Sequence, residues 1–303
     1  MTEKYSKLFS LPENIYAQGA PIIIKAGALL KDNESNWLIA QLKLQNISNK
    51  IVKLAKVEIN LLDSVGRYIE PSITFDYLDL TAARGDDFGT QTPIRISNPA
   101  VRSYTAKVVE VGFSDNTVWN GAAGAWVALP AQSHILSVVG NEAALYGYKL
   151  LFGAGADKAV CDYDDLWMCA CGKINHFDEE RCYSCNASHA ELKNLDLSIL
   201  EKEAIYARAS RMAKSQRIDI LKKAVEEFTK IAEYKDSAVM IRDCNFKMEN
   251  KIENIKTSAN KIRKKLSKIG KIAIVTALVI VAGCSLAYII YLIIMLSDLW
   301  WIL

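Results

Sequence analysis

One stretch of the chain, residues 272–296, carries no charged side chain over 25 residues. A helix of this length is about 37 Å long, which is more than the roughly 30 Å thickness of the hydrocarbon core of a bilayer. The stretch therefore predicts a transmembrane helix, rather than a buried core helix, and residues 271–303 are assigned to a C-terminal anchor. This prediction constrains the rest of the chain, because it decides the compartment in which the other residues fold.

The segment before this stretch is basic. Between Glu253 and Ile272 there are seven basic residues and no acidic one. By the positive-inside rule such a flank stays in the cytoplasm, and Trp300 and Trp301 suit the opposite headgroup region. No secretory signal is predicted, because Lys25 interrupts the first apolar run. We therefore expect a tail-anchored, single-pass membrane protein with its N-terminal domains in the cytoplasm.

The same basic residues are candidate lipid contacts. A cation close to an anionic membrane surface contributes about 1 kcal/mol to binding, and Ile255, Ile262, Leu266 and Ile269 share one helical face among these cations. Alternatively, these basic residues only determine the orientation of the chain in the membrane and do not bind lipid. The predicted headgroup contacts are Lys261, Arg263, Lys264, Lys265, Lys268 and Lys271.

Four of the seven cysteines lie within the twenty residues from Leu166 to Cys185. Disulfides are rare in a reducing cytoplasm, so a metal site is favoured over disulfides. The cysteines form a C-x-C pair and a C-x-x-C pair that are separated by ten residues. Four thiolates bind Zn²⁺ tetrahedrally and leave no position open for water or substrate. We therefore predict one structural Zn²⁺, with the ligands Cys169, Cys171, Cys182 and Cys185.

The wider pattern is W-x-C-x-C-x3-N-x6-C-x2-C, which begins at Trp167. It resembles the RanBP2-type zinc finger. The first cysteine pair departs from the family pattern, because one residue rather than two to four separates its members. The resemblance implies that Trp167 and Asn175 brace the finger, and that Asn175 does so by hydrogen bonds to the backbone of the two cysteine turns.

The ligands that the family binds do not fit this sequence well. RNA-binding members use the tryptophan and basic residues after the asparagine, whereas residues 176–181 read HFDEER here. Ubiquitin-binding members carry a Thr-Phe pair where this chain has Gly172-Lys173. Residues 161–200 hold eight acidic and three basic residues, which opposes phosphate binding. We therefore expect no nucleic acid and favour a purely structural finger that joins two domains; a membrane-tethered reader of RNA or of a protein modifier is the alternative.

The N-terminal half shows strand patterning. Residues 38–45 and 55–61 alternate apolar and polar side chains, which is typical of strands with one buried face. The turn residues 48–50 lie between these runs, so the two strands are predicted to form a hairpin. Period-two patterning with polar, Gly-containing loops continues from about residue 10 to 150. It predicts an antiparallel β-sandwich at residues 1–155, followed by the zinc ribbon at residues 156–190.

Helical periodicity follows the finger. Apolar residues recur at three- and four-residue steps at Leu221, Ala224, Phe228, Ile231 and Tyr234. A break near Lys214-Ser215 predicts a helical hairpin, and a third helix is expected from about Asp236. Over about fifty residues the pattern resembles the tetratricopeptide-type hairpins of bacterial proteins; a plain helical spacer is the alternative. This helical segment and its basic neck are assigned to residues 191–270.

No catalytic pattern accompanies the three histidines, His134, His176 and His189, and no zinc-protease or phosphate-loop motif occurs. We therefore predict that the chain is not an enzyme. The favoured function is a membrane-anchored cytoplasmic interaction or scaffold protein, whose partners are the lipid bilayer and an unidentified protein. An enzyme in the β-sheet domain is a further alternative, and it would require a polar cleft there.

Overall fold

A computed structural model describes residues 4–121 and 124–300. The chain divides into two compact units, Met1–Ala204 and Ile205–Leu303. The first unit contains the β-sheets and the cysteine cluster, and the second contains helices. Each unit is described below by itself.

The first unit begins with a series of strands in two antiparallel sheets. The strands are β1 (Tyr5–Ser10), β2 (Ile15–Tyr16), β3 (Ile22–Asp32), β4 (Leu38–Asn46), β5 (Val52–Leu62), β6 (Tyr68–Tyr77), β7 (Asp87–Phe88), β8 (Ile94–Ile96), β9 (Ser103–Phe113), β10 (Val118–Trp119) and β11 (Val127–Ala128). One sheet has the order β11-β2-β3-β4-β7, with β1 also paired to β3 and β8 to β4; the other has the order β10-β9-β5-β6. The predicted antiparallel β structure is confirmed.

Both sheets contribute to one hydrophobic core. The alternation in β4 and β5 has the predicted consequence, since Leu42 and Leu44 of β4 and Val57 and Ile59 of β5 are fully buried in the same cluster. Tyr104 of β9 reaches across this core, and its hydroxyl donates a hydrogen bond to the backbone oxygen of a β4 residue at 3.1 Å. Apolar burial on the facing sides therefore holds the two sheets together.

The predicted hairpin between β4 and β5 is wrong. These consecutive strands lie in different sheets: β4 pairs with β3, β7 and β8, and β5 pairs with β6 and β9. The buried side chain of Asn46 shapes the connection, because its Nδ2 donates to the carbonyl oxygens of Lys50 and Ala82 and its Oδ1 accepts from the Ser48 backbone nitrogen. Alternation shows that a strand has a buried face, but not which strand it pairs with.

Helices interrupt the period-two region before residue 150. They are α1 (Leu136–Val139) and α2 (Glu142–Phe152). The expected strand patterning to residue 150 is therefore wrong here. The local reason is a helix start signal, since the side chain of Asn141 accepts a hydrogen bond from the Ala144 backbone nitrogen at 2.8 Å. The rest of the first unit contains β12 (Cys161–Tyr163), β13 (Leu166–Met168), β14 (Ile174–His176), α3 (His189–Lys193) and the start of α4 (Leu197–Met212).

The second unit is helical. It contains the end of α4, then α5 (Ile218–Thr229) and α6 (Ser237–Trp300). The residues between α4 and α5 include the predicted break at 214–215. Leu221, Ala224 and Phe228 of α5 are buried against Cys244 of α6, so the apolar stripe found in the sequence is the packed face of α5.

Helix α6 includes the uncharged stretch. It is long and apolar enough to span a membrane, and its apolar window is fully exposed to the surroundings. The basic residues at 261–271 lie on the same helix and are exposed. Trp301, expected near the far headgroup region, lies outside the residues that the structure describes.

Candidate metal centre

The four clustered cysteines lie on two tight turns. The first turn joins β13 to β14: the backbone nitrogen of Cys169 donates to the Lys173 oxygen at 2.8 Å, and the Gly172 nitrogen donates to the Cys169 oxygen at 2.8 Å. Gly172 has a φ of 76°, a left-handed conformation that glycine adopts without a steric penalty. The chain therefore reverses direction between Cys169 and Lys173, in the turn that carries the C-x-C pair.

The second turn precedes α3. The backbone nitrogen of Cys182 donates to the Ala187 oxygen at 2.9 Å, and the Asn186 nitrogen donates to the Cys182 oxygen at 2.9 Å. Asn186 has a φ of 61°, and asparagine is one of the few residues that tolerates this region. Each cysteine pair is thus held on a turn whose backbone polar groups are hydrogen-bonded.

The two turns bring four sulfur atoms together. All four Sγ atoms lie within 4.8 Å of one another. The Sγ–Sγ distance is 3.5 Å between Cys169 and Cys185 and 3.7 Å between Cys171 and Cys182. Four thiolates at about 2.3 Å from a tetrahedral ion are separated by about 3.8 Å. The cluster can therefore hold one metal ion with four protein ligands.

The thiols also influence one another's ionisation. Hydrogen bonds from Cys169 and Cys171 hold the pKa of Cys182 far below its usual value. Hydrogen bonds with Cys171 and Cys182, together with burial, raise the pKa of Cys169. Neighbouring thiols thus favour the thiolate form of Cys182, and the thiolate is the form in which a cysteine binds a metal.

Asn175 connects the two turns. Its Nδ2 donates to the Lys173 oxygen of the first turn at 3.2 Å. Its Oδ1 accepts a hydrogen bond from the Tyr183 backbone nitrogen of the second turn at 3.0 Å. Asn175 is buried, so the bonds that it makes are shielded from water, and this side chain helps to fix the relative position of the two cysteine pairs.

Trp167 is buried beneath the centre. Its side chain is 0% exposed, and its indole Nε1 donates to the Glu179 backbone oxygen at 3.0 Å. The ring stacks on His189, with centroids 4.5 Å apart and an interplanar angle of 16°. Both faces of the ring are therefore inside the protein, whereas Phe177 and Tyr183 are exposed aromatic side chains of this region.

Alternation along β13 connects the centre to two hydrophobic cores. Leu166 and Met168 pack with Tyr16 and Ile23 of the first sheet. Trp167, between them, points to the opposite face and packs in the cluster that contains Cys169, Cys182 and buried residues of α2. The three-stranded sheet β12-β13-β14 is thus covered on both faces.

An ion pair that the sequence did not predict attaches the centre to the first half of the chain. The guanidinium of Arg84 donates to both carboxylate oxygens of Glu179, at 2.5 and 2.6 Å. It also lies 4.1 Å from the ring centroid of Tyr183, on the second cysteine turn. Gly85 leaves room for this contact, since a Cβ there would lie 2.6 Å from the Tyr183 hydroxyl. Arg84 holds the pKa of Glu179 below its usual value.

Other acidic residues of this region are paired as well. Asp165 accepts hydrogen bonds from the Tyr16 hydroxyl and the Gly19 backbone nitrogen, both at 2.9 Å. Asp162 accepts from the His189 ring at 2.7 Å and forms an ion pair with Lys193. Three of the acids that were expected to repel phosphate therefore have internal partners. Asp162 and Glu179 are paired with cations, whereas the donors to Asp165 are neutral and leave its charge in place.

Comparisons of this chain with protein-family models, with curated proteins and with solved structures find no match.

Proposed function

We propose that this chain is a membrane-anchored interaction protein in which the four cysteines bind one structural Zn²⁺. The observation that carries the proposal is the cluster of four thiol groups within 4.8 Å of one another. An all-sulfur donor set suits Zn²⁺ and does not suit the hard cations Mg²⁺ and Ca²⁺. Four protein ligands fill a tetrahedral shell, so the ion has a structural and not a catalytic role.

The surroundings of the cluster support a structural role. The cysteine turns are connected by Asn175, Cys169 and Cys182 pack into one hydrophobic core, and the adjacent strand β13 also contributes to a second core. An ion in this position would fix the three-stranded sheet, which we interpret as a zinc ribbon similar to RanBP2-type fingers. It would also fix the surface that the ribbon forms with the two larger sheets, which we interpret as a β-sandwich.

The membrane part of the proposal depends on α6. One helix is long and apolar enough to span a bilayer, and an exposed basic segment precedes its apolar part. We propose that this segment lies on the cytoplasmic side, where Lys264, Lys265, Lys268 and Lys271 contact anionic headgroups. The sheets and the zinc ribbon would then face the cytoplasm and bind a protein partner there.

A reader of single-stranded RNA is less well supported. RNA-binding proteins of this type need aromatic side chains on which bases stack and a positive groove for the backbone. Trp167 is buried and already stacked on His189, so it offers no free ring. Phe177 remains as an exposed aromatic, but Asp178 and Glu180 are its neighbours in sequence.

Metal analysis and membrane fractionation of the full chain test this proposal. We expect one zinc per chain in protein purified from membranes with detergent. The intact chain should resist alkaline extraction, and a chain without residues 271–303 should not. Folded protein with reduced thiols and no metal would contradict the zinc site, and protease cleavage of the sheets from outside intact cells would contradict the topology.

A titration with short single-stranded RNAs separates the two functions. We expect no binding by the full chain at physiological salt. Salt-sensitive, micromolar binding that is lost in Phe177→Ala would instead favour the RNA reader. Phe177 is suited to this test because its side chain is half exposed, so the substitution leaves the core intact.

A further inference from the structure

Helix α6 carries a second apolar pattern, just before its uncharged part. Within residues 252–271, apolar side chains alternate in steps of three and four residues, and all other positions are polar or glycine. This spacing corresponds to positions a and d of a heptad repeat. We call these residues the heptad stripe: Ile252, Ile255, Ala259, Ile262, Leu266 and Ile269.

The heptad stripe is exposed along its whole length. The exposed fraction is 40% for Ile252 and rises to 63% for Leu266. The preceding turns of α6 are covered by α5, since Cys244 is buried and Met248 is packed in their common cluster. The stripe therefore begins where the cover provided by α5 ends. About 30 Å of helix displays one apolar line with no cover in the described part of the chain.

The same heptad phase continues into the apolar part of the helix. Helix α6 runs without interruption to Trp300, and no proline occurs in it. Two of the later positions, Gly283 and Ala287, are small residues four apart, a spacing that lets transmembrane helices approach closely. The a and d positions after the heptad stripe are Ala273, Thr276, Ile280, Gly283, Ala287 and Ile290.

We propose that α6 self-associates in parallel with further copies of the same chain, as a coiled coil along the heptad stripe that continues between the membrane-spanning helices. The parallel arrangement rests on the proposed membrane anchoring. Copies that cross one bilayer in the same direction place their stripes at the same height and therefore in register. Anchoring also raises the local concentration of the copies.

The continuity of α6 argues against the other way to cover the stripe, burial in the membrane surface. An amphipathic helix at the surface lies in the plane of the bilayer, whereas a spanning helix crosses it. One continuous helix cannot do both without a kink, and kinks arise at proline, at Gly/Ser pairs, at bulges or at inserted groups. Helix α6 contains no proline and continues without interruption through Ser267 and Gly270. From the headgroup contacts proposed for its last two turns, the segment of residues 252–271 therefore extends away from the bilayer, where another helix can cover the stripe.

The distribution of basic residues is compatible with this packing. In a parallel coiled coil, each g position faces the e position of the next heptad on the neighbouring helix. Of the three such pairs along the stripe, only Lys251 with Lys256 brings like charges together, and the Lys251 ammonium already donates to the Gln216 backbone oxygen of its own chain. The other two pairs are neutral on one side, Ser258 with Arg263 and Lys265 with Gly270.

Mass measurements on the full chain in neutral detergent test the proposal. The unchanged chain should have the mass of an oligomer. Isoleucine at successive d positions disfavours a two-helix coiled coil, so we expect an oligomer of three or four chains. The double variant Ile255→Lys, Ile262→Lys should have the mass of one chain. The matched control, Thr257→Lys, Asn260→Lys, adds the same charge off the stripe and should keep the mass of the unchanged chain.

Disulfide formation in membranes tests the register. In a Cys284→Ser background, Ile262→Cys should give disulfide-linked dimers on mild oxidation, whereas Lys264→Cys, on the outer face, should not exceed the background. A single-chain mass for the unchanged protein, or equal effects of the stripe and control variants, would overturn the proposal. Fractionation of the same samples keeps the two proposals separable, because a variant that stays in membranes as a single chain has lost self-association but not anchoring.

Discussion

The cysteine centre and helix α6 differ in the contacts that stabilise them. The centre consists of very short strands and turns, and it is attached by side chains from far along the sequence: Tyr16 to Asp165 across 149 residues, and Arg84 to Glu179 across 95. Helix α6 is the longest element of the chain, yet its described apolar side chains between Ile252 and Ile293 are exposed. The stability of the cysteine centre therefore depends on residues that are distant in sequence, whereas the apolar side chains of α6 can be covered only by lipid or by another helix.

This difference predicts where the molecule is sensitive to substitution. Short turns and three-residue strands are stable only if long-range packing or an ion holds them, so changes at the centre should cost folding free energy. A helix forms from local hydrogen bonds, but in isolation it is marginal in water and gains stability from packing of one face. Changes in the exposed part of α6 should therefore affect association with lipid or with other helices, and not the fold of the first unit.

The largest effect is expected for Cys182→Ser, which removes one of the four ligands. Structural zinc contributes on the order of 10 kcal/mol in small finger domains, so residues 161–193 should lose zinc and protection of their amides. Metal content and hydrogen exchange measure this. The control Cys161→Ser removes a thiol outside the cluster and should retain zinc. An unchanged exchange pattern in Cys182→Ser would show that packing alone holds the centre.

Trp167→Ala should destabilise the first unit by about 3–5 kcal/mol, because it empties a fully buried site next to the cysteine turns. Denaturant unfolding of the purified chain measures this loss. Phe177→Ala is the matched control, since this aromatic is half exposed and should change stability by less than about 0.5 kcal/mol. Equal effects of the two substitutions would contradict the packing described for Trp167.

Arg84→Ala should cost about 2 kcal/mol, because it breaks a partly buried bidentate ion pair and leaves Glu179 without its cation. Arg84→Lys keeps the charge but not the paired hydrogen bonds and should cost about half as much. Unfolding measurements on both variants separate charge from geometry. A loss confined to the sheets, with the exchange of residues 176–187 unchanged, would show that the pair does not position the second cysteine turn.

The sequence predicted what local patterns determine. Alternating residues identified the buried faces of β4 and β5, the helical stripe identified the packed face of α5, and the uncharged run identified a helix able to span a membrane. The spacing of the four cysteines was sufficient to predict a cluster that can hold a metal. In each case the pattern lies within a few tens of residues, and one structural explanation accounts for the residue types in it.

The sequence did not predict contacts between distant residues. Alternation in β4 and β5 could not show that they belong to different sheets, because either arrangement buries the same side chains. Arg84 gave no signal, since a single arginine in a polar loop is most often a solvated side chain. The acids near the centre were interpreted as a repulsive patch, although Asp162, Asp165 and Glu179 have partners that only the fold brings close.

A smaller effect is expected for the charge of Glu179. Its pKa in the folded chain is lowered by Arg84, so the stability that it contributes is present above its unfolded pKa of about 4.3 and is lost as the pH falls through the lower, folded value. Glu179→Gln should therefore be less stable by about 1 kcal/mol at pH 7, and the difference should shrink below about pH 4. A difference that is independent of pH would mean that the carboxylate charge does not matter.

The smallest effect is expected for Ile262→Ala in the heptad stripe. Ile262 lies in the second unit and is 60% exposed, so the substitution should change the free energy of unfolding of the first unit by less than about 0.5 kcal/mol. Hydrogen exchange of residues 161–193 measures this in the same membrane-derived samples whose mass reports self-association. If the cysteine centre and α6 are held independently, the mass falls while the exchange does not change. If Ile262→Ala also increased the hydrogen exchange of residues 161–193, the stability of the cysteine centre would be coupled to α6, and the proposed independence of the two regions would be wrong.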